Sequence, residues 1–128
     1  ARERELQNLL ARANLQRLRA QIADARRTLE IALELAHTLP APAPAPVHEM
    51  IGDMLAAEER WEQARDAYAL ALDAEPTRAP AERKLGEMLV RIADEEALRQ
   101  SGGTPLRGDD LIDILREDRA GRRHAGLA

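Results

Sequence analysis

Two glycines stand in nearly the same words, Gly52 in "IGDML" and Gly86 in "LGEML", 34 residues apart. Each lies in a run whose apolar residues recur at helical spacing. A glycine in mid-helix costs about 1 kcal/mol against alanine. Two of them in matching context predict a repeated geometry in which a neighbouring helix must come close. The stretch after the first, "ERWEQARDAYALALDAEP" at 59–76, points the same way. Small residues at Ala64 and Ala71 are set between bulky Trp61 and Tyr68, and Pro76 ends the run. A lone surface helix needs an apolar stripe. Alanines at fixed places between the bulky residues are needed only where helices approach closely on two sides.

Composition narrows the fold class further. The 128 residues suit one core, and 45% hydrophobic with 33% charged residues is a globular balance. Aromatics make up only 2% and Phe is absent, so alanine and leucine must do most of the packing. Both are strong helix formers, and an all-α chain is expected. The net charge of −4 is too mild to call for a nucleic-acid or membrane partner. The one basic excess, "RAGRRH" at 119–124, reads as a solvated tail. With no cysteine, disulfide and thiolate chemistry are excluded. No apolar run approaches the ~20 residues of a membrane span.

Along the chain, residues 1–39 lack Pro and Gly and read as helix. Leu6, Leu9, Leu10 and Ala13 form one stripe; Ile22, Ala25, Leu29, Ala32 and Leu33 form another. The "QRLRAQIA" between them allows a continuous helix or a tight turn at 19–21. "PAPAPAP" at 40–46 reads as a stiff polyproline-type spacer. From Val47 the pattern resumes with Met50, Ile51, Met54 and Leu55, breaks near Glu59, and continues through Trp61, Ala64, Tyr68, Ala71 and Leu72. Pro80 suits the first turn of a further helix, which carries Leu85, Leu89, Ile92 and Leu98 and stops at Gly102-Gly103. A short helix is expected over about 110–118, capped by Asp109 or Asp110. Its Leu111, Ile112 and Leu115 could fold back to cover the exposed face of the last long helix, or could dock in another protein. Arg107-Gly108-Asp109 spells an adhesion tripeptide, a motif short enough to arise by chance.

With its period and residues in view, the chain resembles the tetratricopeptide repeat family. Residues 45–78 match that pattern, with Gly52 as the small residue of the first helix. Ala64, Tyr68 and Ala71 stand as the Ala, aromatic and Ala of the second, and Pro76 as the closing proline. Ile51 and Trp61 fall where the family has a large apolar residue and an aromatic. Two positions depart from the pattern: His48 replaces the usual Trp, and Glu59 the usual turn glycine. Residues 6–39 give a degenerate copy, with Ala13, Ile22, Ala25, Leu29 and Ala32 in register. Residues 79–100 supply a first helix with Gly86, but Leu98 stands where Ala belongs, as in the long helix that caps such arrays. The resemblance covers roughly residues 6–100, with 40–46 as an insertion and 101–128 as a tail.

The resemblance implies a short solenoid of helical hairpins whose first helices line a concave groove for a partner's peptide or helix. By that register the groove residues are Gln7, Asn14 and Arg17, then Glu49, Met50 and Asp53, then Arg83, Lys84, Glu87 and Arg91. One subclass clamps the C-terminal carboxylate of chaperones with fixed Lys, Asn and Arg residues. Here Asn14 matches, but Leu10, Met50 and Pro80 stand in three of the clamp places and only Lys84 keeps a cation, which disfavours that ligand. A rival reading is homo-oligomerisation. If residues 3–39 were one helix, Leu15, Leu18, Ile22, Ala25, Leu29, Ala32 and Ala36 would fit a coiled-coil seam.

The residues offer no catalytic constellation. His37, His48 and His124 are far apart in sequence and not in metal-ligand spacing. "SGGTP" lacks the lysine and the preceding strand of a phosphate loop, and Ser101 has no nearby histidine. The acidic runs Glu58-Glu59, Asp94-Glu95-Glu96 and Asp109-Asp110 read as solvated faces or caps. The expectation is therefore a non-catalytic protein-binding module. No metal, cofactor, nucleic acid or small-molecule substrate is expected, and its partner is another protein or itself.

Overall fold

A computed structural model describes residues 1–101. The expected helix at 110–118, its caps and apolar residues, the Gly102-Gly103 stop, the adhesion tripeptide and the basic tail lie outside the described residues. The described residues form five α-helices and no strand: α1 (Arg2–Leu18), α2 (Ile22–Ala36), α3 (Pro44–Ala57), α4 (Trp61–Ala74) and α5 (Ala79–Gln100). Residues 1–92 make one compact unit. Of a second unit, 93–128, only the end of α5 and Ser101 are described.

Within the first unit, α1 packs on α2 and α3 on α4, and α3 also lies against α2. Each hairpin turns through the same motif. At the end of α1 the Ala20 amide bonds the Arg17 carbonyl at 3.0 Å and the Gln21 amide bonds the Gln16 carbonyl at 2.8 Å. At the end of α3 the Glu59 amide bonds Ala56 and the Arg60 amide bonds Leu55, both at 3.0 Å. These paired backward bonds define a Schellman close. Its pivot needs a left-handed residue, and Ala20 and Glu59 supply it with φ of 61° and 60°. Neither is glycine, so the tertiary fold holds each there at a cost of about 1–2 kcal/mol. The residue after each pivot, Gln21 or Arg60, accepts the first bond of the next helix from Ala25 or Ala64 at 2.9 Å.

The turn at 19–21 removes the continuous helix that the coiled-coil alternative requires. The proline-rich segment also differs from expectation. Rather than a spacer through residue 46, it enters α3 at Pro44, and Ala45 and Val47 are fully buried. The first amides of a helix have no partner inside it, so Pro44 and Pro46 sacrifice no hydrogen bond there. Only 37–43 remains outside a helix. It is closed by turn bonds from the Ala43 amide to Pro40 and from the Ala45 amide to Pro42.

The core has two parts. The larger joins Leu6 and Ala13 of α1 to Ala25, Leu29, Ala32 and Ala36 of α2, and to Val47 and Met54 of α3. The smaller joins Ala64 and Tyr68 of α4 to Met88 of α5, with Leu55, Trp61 and Leu85 at its edge. Gly52 is buried because the Tyr68 ring lies against it. A Cβ built there would meet ring carbons at 2.6–2.9 Å. Gly86, its counterpart 34 residues on, has nothing within 4 Å of such a Cβ among the described residues and is exposed. The expectation of close approach is therefore met at Gly52 and corrected at Gly86.

Candidate functional site

Where α3, α4 and α5 meet, six polar side chains converge. Glu49 and Asp53 lie one turn apart on α3 and so face the same way. The Lys84 ammonium on α5 reaches Glu49 Oε2 at 3.0 Å and Asp53 Oδ1 at 3.1 Å. From α4 the Tyr68 hydroxyl donates to Asp53 Oδ1 at 2.7 Å. From the α4–α5 connection, Arg78 Nε donates to Glu49 Oε1 at 2.6 Å, and its Nη1 reaches Glu75 Oε2 at 2.9 Å. Burial alone would raise the Glu49 carboxyl, but the hydrogen bonds and charges of Arg78 and Lys84 outweigh it and hold it below its ordinary range. Burial, with the bond to the Asp53 carboxylate, pushes the Tyr68 hydroxyl well above its usual range. It therefore stays a protonated donor. The structure thus brings together Glu49, Asp53 and Lys84 from the expected groove, but they satisfy one another. Their chemistry is that of a strut between α3 and α5.

Arg91 behaves differently. Its guanidinium stands 5.5 Å from the centre of the Trp61 ring, a cation–π contact. The two form one wall of a cleft of about 580 Å3 whose remaining lining is Ala56, Ala57, Glu87, Met88 and Val90. Val90 is 60% exposed. Ala56 and Ala57, the last residues of α3, are what leave the space open. Arg83 and Glu87 sit on the exposed side of α5, 4.0 Å apart.

At the other end of the first unit, Leu6, Gln7 and Leu10 of α1 face Leu39, Pro40, Pro42 and Pro46 across a second cleft of about 350 Å3. Gln7 is thus placed on a recess. Asn14 instead accepts a hydrogen bond from Arg17 Nη2 at 2.7 Å, and Met50 packs against the larger core. A third recess of about 230 Å3 lies between α2 and α3, over Leu29, Leu33, Ile51 and Met54.

The repeat-packing residues are placed as follows. Ala13, Ala25, Ala32, Ala64 and Ala71 are fully buried, and Leu29 and Tyr68 nearly so. Trp61 is half-buried at the edge of the smaller core. Pro76 lies exposed in the α4–α5 connection.

Two of the histidines far apart in sequence meet in space. The rings of His37, just past α2, and His48, on α3, are 6.3 Å apart. Among the described residues no group of three or more His, Cys, Asp or Glu could hold a metal ion. Burial and the neighbouring His37 both lower the His48 pKa from its ordinary 6.5. A group depressed in the folded state favours folding above its unfolded pKa, and that contribution is lost as pH falls through the folded value. Thermal stability should therefore decline on acidification from about pH 7 towards 5, and His48→Gln should flatten that decline. Glu49 acts in a lower window, below its ordinary 4.5, so melting curves at closely spaced pH values separate the two.

Comparison with known proteins found no matching family model, no matching curated protein and no matching solved structure. Of the residues that shape these sites, the sequence reading missed Arg78, Met88 and Val90. Arg78 lies in a connection and carries no periodic signal. Met88 and Val90 lay in the α5 run, but which of its faces stays open depends on how α5 seats against α3 and α4. Among the described residues no helix is long and apolar enough to cross a membrane.

Proposed function

We propose that this chain is a non-catalytic binding module of the tetratricopeptide-repeat type, holding a partner's peptide or helix in the cleft between α3, α4 and α5. The observation that carries the reading is that cleft. It has an open volume of about 580 Å3, an apolar floor at Met88 and Val90, and a cationic aromatic wall at Arg91 and Trp61. Aromatic and arginine side chains at a recess are the usual anchors of protein recognition, and methionine adapts to the shape of an incoming side chain. The repeated Schellman turns and the fully buried Ala64 and Ala71 support the repeat reading. The fitting ligand is a short segment with one large apolar side chain next to a carboxylate, which Arg91 would meet.

A displayed peptide library selected on the intact protein tests this. Enriched peptides should combine an apolar anchor with an adjacent acidic residue, and Val90→Asp should weaken their binding at least tenfold, about 1.4 kcal/mol. Val90 is exposed enough that the change should leave the fold intact. No enrichment, or equal binding to the variant, would count against the cleft.

A further inference from the structure

Three of the large apolar residues that remain in water lie together. Leu15, Leu18 and Ile22 flank the α1–α2 turn with 46%, 70% and 37% of their surface exposed. Arg12, Leu15 and Arg19 follow one another at i, i+3 and i+7, so they share one face of α1 and its cap. The tail at 119–124 is not the one basic excess after all: residues 12–27 carry five arginines against a single aspartate, in a chain whose net charge is negative. Arg12, Arg19 and Arg27 are exposed, and none meets a carboxylate among the described residues. Arg12 and Arg19 thus set positive charge beside an apolar knob.

The outer face of α4 has the opposite character. Glu62, Asp66, Leu70 and Asp73 recur at i, i+4, i+8 and i+11, one continuous stripe. Leu70 at its centre is 48% exposed, and Asp66, whose side chain is 68% exposed, is engaged only by its chain neighbour Arg65 at 3.1 Å. Glu62 and Asp73 are exposed as well. An isolated exposed leucine is ordinary. A leucine within a stripe of three carboxylates, on the same compact unit as leucines flanked by Arg12 and Arg19, makes a pair of oppositely charged surfaces.

We infer that the apolar knob at the α1–α2 turn, with Arg12 and Arg19 beside it, docks on the acidic stripe of α4 of a second copy of this chain. The inferred contact sets the knob of one copy on the stripe of the next, head-to-tail rather than as a reciprocal two-fold pair. Each copy keeps one unused end, and association extends step by step unless the rotation closes a ring. Both surfaces are small, so association is weak and salt-sensitive, because the charges attract across screened solvent. This goes beyond the peptide cleft and does not depend on it. None of the knob or stripe residues lines that cleft.

A heterologous contact has a signature that a symmetric one lacks. Leu18→Asp spoils the knob and leaves the stripe; Leu70→Arg spoils the stripe and leaves the knob. Light scattering over a wide concentration range at low salt should show the unaltered protein rising above 14.2 kDa without settling at a fixed multiple, and falling back in about 1 M salt. Each variant alone should stay monomeric. An equimolar mixture should form a 1:1 dimer through the single intact pair, detected by labelling one variant. Both sites are exposed, and melting curves matching the parent would confirm that each variant is folded. An unaltered protein that stays monomeric throughout would overturn the inference. So would self-association that survives Leu70→Arg, which would indicate a symmetric knob-to-knob contact. A mixture that fails to pair would overturn it too.

Discussion

Tyr68→Ala should lower the melting temperature of the protein by ten degrees or more. Tyr68 is the largest side chain buried to this degree among the described residues, at 2% exposure, in a core otherwise built from alanine, leucine, valine and methionine. Truncating a buried aromatic costs about 3–5 kcal/mol, since transfer and cavity terms add. Small domains have only about 5–15 kcal/mol in total. Each 1 kcal/mol moves the midpoint of a domain this size by roughly 4–8 °C. The change also removes the hydroxyl that donates to Asp53, leaving that carboxylate to Lys84 alone. Tyr68→Phe divides the loss into its parts. It keeps the ring over Gly52 and should cost only about 1.5–3 kcal/mol, the worth of a hydrogen bond to a charged group. Paired urea titrations of the two variants measure both terms. Equal effects would mean that ring packing contributes little here.

The two glycines should respond to alanine with opposite signs. Gly52→Ala forces a methyl to within 2.6 Å of a ring that is itself wedged in the core. Such overpacking costs about 1–3 kcal/mol, which exceeds the gain of about 1 kcal/mol in helix propensity. Larger residues at 52 should be worse still. Gly86→Ala meets nothing within 4 Å among the described residues, so the propensity term stands alone and the variant should gain about 1 kcal/mol. Denaturant midpoints of the two variants, compared with the parent, provide the check. Destabilisation at 86 would place a neighbour against that face of α5.

The contrast also marks where sequence reasoning reached its limit. The matching words around Gly52 and Gly86 both fall within helices, α3 and α5. The words cannot say whether a partner side chain is present at each copy. At 52 the partner is Tyr68, sixteen residues on; sixteen residues beyond Gly86 lies Gly102, which offers no ring. In the first hairpin the equivalent pair is Ala13 and Leu29, both buried. The smaller side chain there leaves room for a methyl that the tyrosine excludes. The expected groove shows the same limit. Glu49, Asp53 and Lys84 were placed on facing helices by register alone. That they would bind one another, with Arg78 entering from a connection, depended on side-chain reach that no spacing encodes.

What the sequence determined by itself was local and periodic. Its alanine- and leucine-rich runs, without Phe or Cys, could bury their stripes only as helices packed on helices. Hence the helical runs and the break near Glu59 were readable in advance, whereas 19–21 allowed either a continuous helix or a turn until the packing of α1 on α2 decided it. Tertiary structure decided everything that depends on two distant segments meeting. It drew the proline run into the first turn of α3, where missing amides cost nothing. It held Ala20 and Glu59 in left-handed conformations that neither residue favours. It turned three expected ligand contacts into an internal strut and opened the space beside Trp61 and Arg91. The physical reason is one of range. Helix periodicity is set by backbone bonds four residues apart, whereas clefts and ion pairs are set by the volumes and charges of side chains tens of residues away.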